Sequence, residues 1–163
     1  MRIGAFELKE PLPALRSPHM FAILRPWIDV GSVGSLTLAT LEEQFGAVEL
    51  GRLARPSNFY DLTRYRPARR RRDNQRVIEL PNTFLRCVQR PEEPDLIFAH
   101  ILEPHMAAED FIDSMVAIAD ALGVKRYCQI GSMYGQTPHT RPLIASGQAT
   151  EPEVQTVLRD LGV

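Results

Sequence analysis

Between Phe21 and Phe45 an apolar run, Phe21, Ala22, Ile23, Leu24 and then Trp27, Ile28 and Val30, breaks at Gly31-Ser32-Val33-Gly34. After the break, apolar positions recur at helical spacing. The run predicts a strand carrying Asp29 at its end, and Val33, Leu36, Thr37, Thr40, Leu41 and Phe45 predict a helix with Ser32 as N-cap and Gly46 as its stop. Pro26 withholds a ladder donor, so a bulge is expected there, or a strand confined to one side of it. Alternation over residues 47–54, with Val48, Leu50 and Leu53, predicts a second strand, parallel to the first because a helix connects them.

The second half repeats the pattern. Leu96, Ile97, Phe98 and Ala99 form the continuous apolar run of a fully buried strand, following Asp95. Phe111, Met115, Ile118 and Leu122 then predict the best helix in the chain, with Glu109 and Asp110 at its start and Gly123 at its end. Residues 124–130 return as a strand and leave through Gly131-Ser132-Met133-Tyr134-Gly135. The chain therefore reads as an α/β fold built from two βαβ units. Between these units, residues 76–79 and 83–89 predict two β segments, while residues 55–75 are polar enough to predict an extended loop. Residues 143–146 predict a further β segment, and Thr150 to Glu153 has capping-box spacing ahead of a last helix with Val154, Val157, Leu158 and Leu161 on one face. Pro11, Pro13 and Pro18 make residues 1–20 an expected arm, leaving 21–163 as a single α/β domain.

A chain of 163 residues with 44% hydrophobic and 24% charged content is long enough for one buried core. The net charge of -1 gives no whole-chain attraction to nucleic acid or anionic membrane, and no apolar run approaches the roughly 20 residues of a membrane helix. A cytoplasmic protein without a membrane partner is expected. Cys87 and Cys128 lack metal or redox spacing and are expected to be buried thiols.

Three groups of residues carry candidate chemistry. The Gly31, Ser32, Gly34 turn would aim backbone N–H groups and a helix dipole at an anion, although it is neither a dinucleotide fingerprint nor a P-loop, and a tight structural turn is the plainer reading. Asp29 is then a catalytic acid, a ligand or a cap, with the cap favoured. His100, Glu103 and His105 have a metal-like spacing, but Pro104 breaks the one-face helical geometry of a zinc helix, and no metal or cofactor is assigned. Loops at strand ends converge on one edge of an open α/β sheet, where Asp29, His100, Glu103 and Ser132 would meet; Asp29, His100 and Ser132 are the catalytic candidates, but none is assigned and ordinary loop polarity is the plainer reading. Finally, Arg69 to Arg72 form a run without interleaved aromatics, expected to be a solvated hairpin or loop.

At Phe59-Tyr60-Asp61 with Arg66-Pro67, and again at His139-Thr140-Arg141-Pro142, the chain resembles the prokaryotic homologues of the proteasome assembly chaperone two family. The order of parts agrees over residues 21–163: a strand into a glycine-bearing turn, this aromatic segment, a strand followed by Glu103-Pro104, a helix ending near Gly123, and a strand into a glycine-serine loop. The resemblance implies a three-layer α/β/α domain with a mixed sheet, here largely parallel, and oligomerisation. Eukaryotic relatives are chaperones of proteasome α-ring assembly, and prokaryotic ones are sometimes labelled ATP-grasp-like. Family members commonly continue past the point matching Val163 with further helices, so a C-terminal truncation relative to the family is expected.

Two functions follow as expectations. One is a non-catalytic oligomeric interaction or assembly module, holding another copy of itself or another protein through Phe59, Tyr60, Asp61 and Arg66. The other is an enzyme or binding protein for a small anionic or nucleotide ligand at the strand-end edge.

Overall fold

Seven strands form one mixed sheet in a computed structural model of the chain, which describes residues 1–138, 140–142 and 144–163, with the backbone alone at Arg72. The chain divides into two compact units, Met1–Met133 and Tyr134–Val163.

In the first unit, β1 (Arg2–Ile3) and β2 (Phe6–Leu8) lead to β3 (His19–Arg25), α1 (Val33–Phe45) and β4 (Val48–Leu53). A ribbon of β5 (Ala68–Arg72) and β6 (Gln75–Glu79) precedes β7 (Phe84–Val88), β8 (Leu96–Leu102), α2 (Ala108–Ala121) and β9 (Arg126–Ile130). The sheet order is β1-β2-β4-β7-β8-β3-β9. β3 pairs in parallel with β8 and β9, and the remaining pairings are antiparallel.

The mixed α/β/α fold stands, with a refinement. Among the described residues five strands point the same way, because β2 and β7 alone run against the rest, yet most neighbours are antiparallel. The predicted unit β3-α1-β4 does join strands of one direction, but β7 and β8 lie between them. The second unit, β8-α2-β9, encloses β3 in the same way. These crossovers leave the neighbouring strands β3 and β8 in opposite directions along the sheet. Helices cover its two faces: Leu38 of α1 packs with Ile23, Leu96 and Phe98, whereas Phe111 and Ile118 of α2 join Met20, Ala22, Ile97 and Ala99. Period-two alternation along β3 and β8 separates these cores. No helix among the described residues is long and apolar enough to cross a membrane.

Several expectations are corrected. Within the expected arm, residues 2–8 fold back as a hairpin, and Phe6 and Leu8 are buried on the sheet, since their alternation suffices for an edge strand. Close approach is possible because Gly51 faces them at a bulge, where a Cβ would lie 2.5 Å from the Glu7 carbonyl oxygen. Residues 68–79, expected in part as loop, form a ribbon turned by Asp73 and Asn74, both at positive φ as a two-residue hairpin requires. The buried stripe of α1 is rotated from the predicted one: Val33 and Leu36 are exposed, and Gly34 and Leu38 are buried. A Cβ on Gly34 would come within 2.2 Å of Ile23 Cδ1, so only glycine lets the helix sit this close to β3.

The second unit contains α3 (Pro152–Asp160), whose N-cap is Glu151 with Pro152 at the first turn, not the expected Thr150. Ile144, Ala145 and Ser146 form no strand, and Leu143, like His139 of the quoted motif, lies outside the described residues.

Candidate functional site

The strand-end loops do bring Asp29 and Ser132 together, through an isolated parallel bridge. Ser132 N–H donates to the Ile28 carbonyl at 2.9 Å and its hydroxyl to the Val30 carbonyl at 2.7 Å. Asp29 accepts from Ser35 N–H at 3.1 Å and from the Ser35 hydroxyl at 2.5 Å. It therefore closes the first turn of α1 from outside the helix. Ser32, at the N-cap position, lies in the left-handed region at φ 59° and makes no side-chain cap bond, which corrects its predicted role. Gly31 is likewise left-handed at φ 64°, and Gly34 is buried against Ile23. This turn is built by its own side chains.

His100 is engaged elsewhere. It projects from β8 beneath α1, with Nε2 2.6 Å from Glu42 Oε1 and its ring stacked on Phe84 at 4.4 Å. Arg86 approaches the same Glu42, at 3.4 Å, and donates to the Ala47 carbonyl. His105 serves a different loop, where Nδ1 accepts from Asp61 N–H at 3.1 Å and its ring meets Tyr65 at 4.5 Å. Among the described residues no three His, Cys, Asp or Glu side chains gather as a metal site would.

The aromatic segment turns inward. Phe59 is buried edge-on against Phe111, and Tyr60 is buried with its hydroxyl hydrogen-bonded to Thr83 at 2.5 Å. Burial pushes the Tyr60 hydroxyl pKa upward, so it stays a neutral structural group. Thr83 Oγ1 in turn accepts from Leu102 N–H, tying this loop to the end of β8. Asp61 folds onto Thr63, whose N–H and hydroxyl both donate to it and hold its carboxyl below the usual range. Of the four expected interaction residues, Phe59 and Tyr60 belong to the core, while Arg66 is exposed and Asp61 half-buried.

Sequence reasoning missed the surface beside α2. A concave face of about 630 Å³ runs between α2 and β3/β9, with Leu24, Met115, Ala119 and the exposed Ile112, Val116 and Tyr127 along it. It exists because α2 is apolar on more than one side, whereas the predicted stripe, Phe111, Met115, Ile118 and Leu122, accounts only for the side against the sheet. Glu109, Asp110, Asp113 and Asp120 are exposed along the helix, which has no lysine or arginine. The signal available in sequence was the second pair, Ile112 and Val116, four residues apart.

The fold recurs in known proteins. A PAC2 family protein from Streptomyces avermitilis is 30% identical, with a TM-score of 0.78 over 87% of this chain and 61% of that one. A proteasome-assembly chaperone homologue from Mycobacterium tuberculosis is 25% identical, with a TM-score of 0.75 over 88% of this chain and 60% of that one. An archaeal proteasome activator from Pyrococcus furiosus, 20% identical, shares the fold at a TM-score of 0.58, over 79% of this chain and 51% of that one. The chain thus spans about 60% of the length of the first two structures. No curated protein matches it. The sequence profile of the PAC2 family matches residues 23–162, from the middle of β3 through α3, and by that match the chain belongs to the PAC2 family.

Proposed function

We propose that the chain is a protein-interaction and assembly module that works by binding and not by catalysis, and that it associates with further copies of itself. The observation that carries this reading is the apolar face beside α2, with Ile112, Val116 and Tyr127 each more than half exposed, on a helix that bears four exposed carboxylates and no lysine or arginine. Asp29, His100 and Ser132, the candidate catalytic side chains, are each bonded within the fold, which supports binding over chemistry.

The complementary surface is on the ribbon. Cross-strand pairing puts Arg69 and Arg71 on the same face as Ile78 and Arg76, so three arginines surround an isoleucine that is 64% exposed. An aliphatic side chain framed by cations fits an apolar face on an acidic helix. We infer that the ribbon of one copy occupies the α2 groove of the next, a head-to-tail contact that closes into a ring or extends as a chain.

Light scattering on the full chain tests this. The expected mass is a multiple of 18.4 kDa, falling to the monomer in both Ile112→Arg and Ile78→Asp, since either breaks one half of the contact. A monomeric wild type at tens of micromolar, or an oligomer that survives both substitutions, would refute it.

A further inference from the structure

A concentration of positive charge in the first unit lies at the carboxyl ends of the parallel strands. Arg25 ends β3, Arg52 and Arg86 come from β4 and β7, and Arg66 and Arg70 come from the ribbon and the segment leading to it. All five line one cleft of about 520 Å³. Two carboxylates, Glu49 and Glu79, line it with them. Cross-strand pairing sets Arg70 and Glu79 on the ribbon face opposite to Ile78.

Internal pairing uses up part of the positive charge. Glu79 holds Arg70 at 2.8 Å, and Glu49 holds Arg52 at 2.5 Å together with Lys9 at 3.1 Å. Burial works to raise the Glu49 carboxyl, but bonds and charge from Arg52 and Lys9 outweigh it and keep the carboxyl ionised. Arg86 leans on Glu42 of α1. Arg25 and Arg66 have no side-chain hydrogen bond or ion pair among the described residues, and Arg25 Nε is buried without an acceptor. A guanidinium N–H removed from water and left unpaired is costly, and an anionic oxygen beside it recovers that cost.

Location agrees with composition. The crossovers from β3 and β8 leave in opposite directions, and open α/β sheets bind ligands outside the carboxyl ends of strands at such a switch point. Arg25 and Leu102, the last residues of β3 and β8, both line the cleft. Its volume falls within the roughly 300–1,000 Å³ typical of small-molecule sites. The Gly31–Gly34 turn, by contrast, is occupied by Asp29.

We propose that this cleft binds a small molecule bearing two or more phosphate or carboxylate groups, with Arg25 and Arg66 as its principal contacts. Calorimetric titration of the full chain with tripolyphosphate, and separately with citrate, tests the site and distinguishes the two chemistries. Saturable binding of at least one probe is expected, weakening as salt rises. Binding should weaken about tenfold or more in Arg66→Gln and in Arg25→Met, the loss of one charge-assisted contact. Lys125→Gln, just before β9 and outside the cleft lining, should bind like wild type. Arg66 is exposed, so its substitution reports on binding even where Arg25→Met fails to fold. No saturable binding of either probe, binding indifferent to Arg66→Gln, or binding of an oligonucleotide to the exclusion of both probes would overturn the proposal.

Discussion

The two ends of β3 and β8 handle charge in opposite ways. At the amino ends, Asp95 is fully buried and accepts from Arg16 N–H at 2.7 Å, the Arg16 guanidinium at 2.9 Å and Arg90 N–H at 2.8 Å. Its own backbone closes the circuit, donating to the Arg16 carbonyl and accepting from His19 N–H. At the carboxyl ends, five arginines face two carboxylates in an open cleft, and Arg25 Nε is buried without an acceptor among the described residues. One end satisfies its charges locally and so fastens the loop before β3 to the start of β8. The other leaves donors unmatched, which suits recognition better than stability.

The largest expected effect is at the closed end. Asp95→Ala should destabilise the fold by about 2–4 kcal/mol, because it strands two backbone donors and removes the partner of the Arg16 guanidinium. Urea denaturation measures this, and a loss below about 1 kcal/mol would break the contrast between the ends. Acid titration sharpens it. The hydrogen bond from Arg16, aided by the backbone donors, holds the Asp95 carboxyl at about 2, against an ordinary 3.8. A depressed carboxyl stabilises the fold above its unfolded value and ceases to do so as pH falls through the folded one. Wild type should therefore lose about 2 kcal/mol between pH 4 and pH 2 from this group, a component missing in Asp95→Asn. At the open end effects should be smaller and can change sign. Arg25→Met should hold stability constant or raise it by up to about 1 kcal/mol, since it removes a donor that has no acceptor. A substantial loss in thermal denaturation would mean that Arg25 is structural after all. Smallest of all, Arg70→Gln severs an exposed pair with Glu79 and should cost less than about 0.5 kcal/mol.

Periodicity carried most of the fold. The apolar run of β8 and the stripe of α2 are strong because a fully buried strand and a half-buried helix leave different spacings in sequence. The first hairpin was hidden behind three prolines that follow it, although Phe6 and Leu8 alternate correctly. The ribbon was legible in part, since residues 76–79 read as a β segment and the arginine run as a solvated hairpin or loop, while Asp73-Asn74 went unread as its turn. Asp29 was legible as a cap because it lies just before a helix. The cleft was not legible at all: Arg25, Arg52, Arg66, Arg70 and Arg86 come from separated parts of the chain and share no spacing, so only the strand order brings them together.

That strand order also sets a schedule for the growing chain. β3 lies between β8 and β9, and its first residue, His19, pairs with Leu96 and Arg126, the latter 107 positions further on. Ribosomes add roughly 5–20 residues per second, so β3 waits roughly 5–20 s from its own synthesis before its last neighbour exists. During that interval Met20, Ala22 and Ile23, all buried in the finished sheet, have no permanent covering. Pairings so distant in sequence also slow the search itself. In the cell, β3 is made early and gains its second neighbour only when β9 emerges.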